Sequence, residues 1–317
     1  MTPRTSLLHV VAVSVLCWGV ALGTAGGEEA PAPTNDEMHG DVHGGTYSEE
    51  GPDACLGCHQ SPGMSAIFGS VHMATSDARA PGGQHQCESC HGPMGDSLPM
   101  HGDAVISFGA EAATPVEEQN EVCLGCHQET AADWSSSAHA ADDLGCVSCH
   151  TIHSDHDPVL TLTEQPEQCY TCHLKERGQM QRPYVHPVRF GKMNCSTCHD
   201  AHGSPTEFAL KHDTLNETCY SCHAEKRGPF AFEHAPAAED CSLCHESHGS
   251  SHAGMLTKAA PVLCQQCHSQ RDHPSIRFTS EGLEDDSRSS FILASGCMNC
   301  HSGVHGSNHP SGITLTR

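Results

Sequence analysis

Two ten-residue stretches decide how this chain is read: Cys195-Ser-Thr-Cys-His-Asp-Ala-His-Gly-Ser204 and Cys241-Ser-Leu-Cys-His-Glu-Ser-His-Gly-Ser250. Each opens with CxxCH and carries a second histidine three residues after the first. Upstream of each stands another motif, Cys169-Tyr-Thr-Cys-His173 and Cys219-Tyr-Ser-Cys-His223, soon followed by Arg-Gly at 177–178 and 227–228. The repeating element is therefore a pair of motifs, and self-similarity of this kind bounds the fold before any local reading does.

Working outward, the same pentapeptide occurs ten times: Cys55–His59, Cys87–His91, Cys123–His127, Cys146–His150, Cys169–His173, Cys195–His199, Cys219–His223, Cys241–His245, Cys264–His268 and Cys297–His301. The second cysteines are Cys58, Cys90, Cys126, Cys149, Cys172, Cys198, Cys222, Cys244, Cys267 and Cys300. Of 21 cysteines only Cys17 falls outside a motif. Zinc ribbons use CxxC pairs but need no histidine directly after each. Thioredoxin-like motifs occur singly beside a βαβ pattern that is missing here, and a disulfide scaffold does not require this spacing. CxxCH fits covalent haem c: two thiols add to the vinyl groups and the adjacent histidine becomes the proximal iron ligand. The expectation is ten haems c, with His59, His91, His127, His150, His173, His199, His223, His245, His268 and His301 as proximal ligands.

The repeat also selects ten distal candidates. One histidine lies between the motifs of each unit: His72, His139, His186, His234 and His273. A second follows the even motif: His101, His153, His202, His248 and His305. His85 competes with His101 and His309 with His305, and Met73 or Met100 could replace a neighbouring histidine. One candidate per iron predicts bis-histidine, six-coordinate haems, although spacing alone does not say which histidine serves which iron.

Composition agrees. Hydrophobic residues are 37% and aromatics 4% of 317 residues, with 30 Gly and 19 Pro, too little for a large protein core. Porphyrins must supply much of the buried apolar surface. The fold class expected is mainly helical and irregular: an elongated multihaem cytochrome c with short helices and loops wrapped around a haem chain, and little or no β-sheet. The net charge of −24 excludes nucleic-acid binding through basic patches. Residues 28–168 hold 24 acidic residues against Arg79 alone, whereas 169–317 hold 15 acidic and 13 basic. This polarity suggests that the amino-terminal half attracts partners with a basic haem rim.

Residues 1–25 read as a signal peptide: Arg4, an apolar run from Leu7 to Leu22, then Gly23-Thr24-Ala25, which takes Cys17 away with it. Residues 26–50 read as an acidic, disordered segment, and 51–317 as the decahaem domain of five two-haem units.

The ten CxxCH motifs, Cys87-Glu-Ser-Cys-His-Gly-Pro93, the His-x-x-His-Gly-Ser segments and the ending His301-Ser-Gly-Val-His-Gly-Ser-Asn-His-Pro310 make residues 51–317 resemble the MtrA/DmsE-type periplasmic decahaem cytochromes. That resemblance implies a haem wire seated in an outer-membrane β-barrel porin. Its implied partners are periplasmic electron-carrier cytochromes on one side and an extracellular cytochrome or terminal reductase on the other. The alternatives are a multihaem reductase of nitrite, hydroxylamine or a sulfur oxyanion, with one open haem, or a soluble periplasmic electron shuttle. No CxxCK motif marks an open iron, and no other catalytic constellation stands out, so the reading is an electron-transfer protein and not an enzyme.

Overall fold

In every one of the ten motifs the histidine N–H donates to the carbonyl of the first cysteine, at 2.8–3.1 Å. That i to i+4 bond closes one helical turn, which sets Cys, Cys and His at i, i+3 and i+4 on one side of the backbone. The computed structural model describes residues 46–95, 105–268 and 296–315. The expected signal peptide, all but the last residues of the acidic segment, Met100, His101 and His273 lie outside them.

Around this common turn the two motifs of a unit differ. Odd motifs close short α-helices: Pro52–Leu56, Val116–Cys126, Gln165–Cys169, Leu215–Tyr220 and Ala260–Cys264. Proline in the first turn of three of these supplies the helical φ where no intrahelical N–H is needed. Four of the five even motifs instead occupy a 3-10 turn, at Cys146–Ser148, Cys195–Thr197, Cys241–Leu243 and Cys297–Asn299. Each of these four follows an extended residue (Gly145, Asn194, Asp240, Gly296) that turns the chain before the first cysteine. The remaining motif, with the helix Glu88–His91, is the exception.

Among the described residues there is no strand, only isolated bridges, and no helix is long and apolar enough to cross a membrane. The expected mainly helical and irregular fold class is what the chain adopts. The buried hydrophobic residues are few: Met73, Ile106, Tyr170, Met180, Val188 and Leu210. Large apolar side chains such as Phe190, Phe208 and Leu174 stand more than half exposed to solvent in the protein alone. Protein atoms supply little of a core, as the composition predicted.

Candidate haem centres

Eight of the ten proximal histidines face a distal candidate ring to ring. The pairs are His72–His127, His91–His153, His139–His173, His150–His202, His186–His223, His199–His248, His234–His268 and His245–His305. Their centroids are 6.0–6.3 Å apart. Rings in mutual contact would sit closer, as Tyr47 and His85 do at 3.6 Å. Two metal–imidazole bonds of about 2 Å plus the two ring radii span about 6 Å, so the residues present fit one axially ligated iron per pair. Among the described residues no three His, Cys, Asp or Glu side chains converge as a metal cluster. Each pair would hold one haem iron through two imidazole nitrogens.

The pairing follows a rule that spacing had left open. A histidine between the motifs of one unit faces the first proximal histidine of the next unit. A histidine after an even motif faces the second proximal histidine of the preceding unit. Adjacent units thus exchange histidines.

Backbone contacts hold the exchange. The Nδ1 groups of His139, His186 and His234 lie 2.8 Å from the carbonyls of Ala201, Ser247 and Val304, each the residue just before the other exchanged histidine. Donation from Nδ1 turns Nε2 toward the partner ring and fixes the tautomer. Two-bond bridges Tyr184–Ser250 and Phe232–Ser307 set the same register two residues away. His-Gly-Ser is explained here as well. Gly203 and Gly249 have φ of +121° and +138°, and a Cβ on either would collide with the carbonyl of Asp133 or Gln179 in the preceding unit. The next serines, Ser204 and Ser250, donate to the carbonyls of Leu210 and Leu256, closing the following loop.

The thiols form a second series. In each unit the thiols of the two first cysteines lie close enough to influence each other: Cys55 and Cys87, Cys123 and Cys146, Cys169 and Cys195, Cys219 and Cys241, and Cys264 and Cys297. The neighbouring Cys123 thiol draws the Cys146 thiol below the ordinary cysteine range, and Cys219 does the same to Cys241. Between units the second cysteines interact: Cys90 with Cys126, Cys149 with Cys172, Cys198 with Cys222, and Cys244 with Cys267. Neighbouring motifs thus meet alternately through first and second cysteines, in chain order.

Three of the competing candidates lie among the described residues. His85 stacks on Tyr47, His309 Nδ1 bonds the Ser311 hydroxyl, and Met73 is buried in the small core beside Gly82. Burial lowers the pKa of His72, His153, His202, His248 and His305.

Sequence reasoning missed the buried amides that clip the two motifs of a unit together. Asn120 accepts from the N–H of Cys146 and donates to the carbonyl of Leu144; Asn216 does the same with Cys241 and Ala238. Both lie three residues before an odd motif, a recurrence that could have flagged them. Gln165 takes the role in the middle unit, through Ser196 and Val159. Buried Glu88, between two haem-motif cysteines, accepts from the N–H groups of Ser48 and Met94.

Comparison with known proteins points the same way. A family model for NrfB-like cytochrome c-type proteins matches residues 87–167, and one for a doubled CXXCH motif matches 186–228 and 234–273. The chain is 44% identical over 277 residues to the multiheme cytochrome MtrA of Shewanella baltica, covering 86% of this chain and 83% of that protein. It is 31% identical over 139 residues to the cytochrome c-type protein NrfB of Escherichia coli, 41% of this chain and 69% of that one. The NrfB of Haemophilus influenzae is 33% identical over 149 residues, 39% of this chain and 65% of that protein.

Proposed function

The chain belongs to the MtrA-type multihaem c-type cytochromes, and on that footing we propose that it is a decahaem electron conduit. In this reading the twenty motif cysteines hold ten haems c, which supply a one-electron Fe(III)/Fe(II) couple. The eight facing histidine pairs are axial ligand sets, and His59 and His301 take His101 and His273, the two candidates the eight pairs leave over. One centre in each end unit is then completed from within that unit, while every other centre takes a histidine from a neighbouring unit.

The reciprocal histidine pairing carries this reading. Where two imidazoles would hold one iron, as in the eight facing pairs, no position would be left for a substrate. The alternation of cysteine contacts favours haems that follow one another in chain order, as serial transfer needs. Seated in an outer-membrane β-barrel porin, such a chain would connect periplasmic electron-carrier cytochromes with an extracellular cytochrome or terminal reductase.

Purification from outer membranes tests this. The expected result is a protein with ten haems by pyridine haemochrome, low-spin throughout by electron paramagnetic resonance, copurifying with a β-barrel and a second cytochrome. A substrate-responsive high-spin signal would favour the reductase, and a free periplasmic species alone the soluble shuttle.

A further inference from the structure

One proximal histidine is held differently from its equivalents. His91, His199, His245 and His301, all in even motifs, place Nδ1 2.7–2.8 Å from a backbone carbonyl, of Ile106, Phe208, Gly254 and Thr314 respectively. His150, in the fifth even motif, instead places Nδ1 2.7 Å from the carboxylate Oδ2 of Asp157. The Asp157 side chain is only 14% exposed. Its Oδ1 accepts from the N–H groups of Thr151 and Val159, both at 3.3 Å, at the start of the short turn Pro158–Leu160. The carboxylate is thus fixed from behind while its other oxygen meets the imidazole.

We propose that Asp157 is a potential-setting positioning residue that makes the His150–His202 centre harder to reduce than the His199–His248 and His245–His305 centres. This rests on the bis-histidine reading above. A carboxylate draws the Nδ1 proton more strongly than a neutral carbonyl does, which leaves Nε2 a more basic donor to iron. A more basic axial nitrogen favours Fe(III) over Fe(II). The step concerned is a one-electron reduction of this centre by a neighbouring one, which is oxidised in turn, with no proton transferred.

The full haem-loaded chain with Asp157→Asn tests it, because an amide oxygen still accepts from Nδ1 but carries no charge. In a potentiometric titration one tenth of the haem amplitude should move upward by about tenfold in its reduction equilibrium, equivalent to about 59 mV for a one-electron couple. All haems should stay low-spin. An unmoved or downward-moving titration would overturn the proposal. If the variant does not mature, the unaltered protein offers a second measurement. The His150–His202 rings are 14° from parallel, in a group with the pairs at 12°, 25° and 30°. Within the corresponding resonance envelope one centre should be reduced last, and common titration of that group would overturn the proposal. A high-spin signal in the unaltered protein would instead defeat the bis-histidine reading, so the two failures are distinguishable.

Discussion

His153 lies three residues after His150 but faces His91, at 82° between ring planes, while the His150–His202 pair is nearly parallel at 14°. The two geometries give different low-spin resonance envelopes, since crossed imidazole planes widen the g anisotropy. His153→Ala should therefore convert one haem in ten to high-spin and remove intensity from the strongly anisotropic envelope. Loss from the near-parallel envelope would mean that His153 serves its sequence neighbour. Protonation acts on the same rings. Burial lowers the folded pKa of His72, His202 and His248 below the unfolded value of about 6.5, so around that pH the native state binds fewer protons than the unfolded chain. Their contribution is fully present above about pH 6.5 and is lost as pH falls through the lowered values. A spectral titration should show constant low-spin haem from about pH 7 to 9 and high-spin haem growing only on acidification. At this scale the sequence pointed to the right neighbourhoods: eight of the ten distal candidates that the repeat selects each meet a proximal ring. Pairing was not legible, because His139 and the Ala201 carbonyl that orients it lie 62 residues apart, and no local pattern encodes such a contact.

At the scale of the element, short helices and turns depend on side-chain clips more than on their own length. The helix Leu215–Tyr220 has six residues, too few to persist alone. Thr214 caps it by accepting from the N–H of Glu217 at 3.1 Å, and Asn216 ties it to the Cys241 turn. Asn216→Ala strands the Cys241 N–H and the Ala238 carbonyl, so a loss of about 1–3 kcal/mol is expected. Denaturant unfolding of the haem-loaded protein checks this; a change within about 0.5 kcal/mol would mean the clip is dispensable. Gly249→Ala should cost at least as much, through a φ of +138° and collision with Gln179. Proline and glycine placement made short elements predictable, but the alternation of α-helix and 3-10 turn was not. It arises from extended residues before the even motifs and from buried amides, and a single Asn in a polar sequence gives no sign that it will be buried.

On the scale of the whole molecule, charge and cofactor dependence dominate. With 24 acidic residues and one basic residue over 28–168, reduction by a basic cytochrome should slow several-fold as ionic strength rises from about 10 to 150 mM. Stopped-flow measurement checks this, and a flat salt profile would remove the docking role of that half. The scarcity of buried apolar residues was readable from composition, whereas the interlocking of units was not, since each unit looks self-sufficient in sequence. That interlocking has a consequence for how the molecule is made. A growing chain emerges amino end first, so His72, His139, His186 and His234 are already present when the motifs they face appear. His153, His202, His248 and His305 arrive only after theirs. If each facing pair closes on one haem, half of the inner centres can close at once and half must wait for the next unit, so maturation should advance as a zip, always one open tooth ahead of the part already fastened.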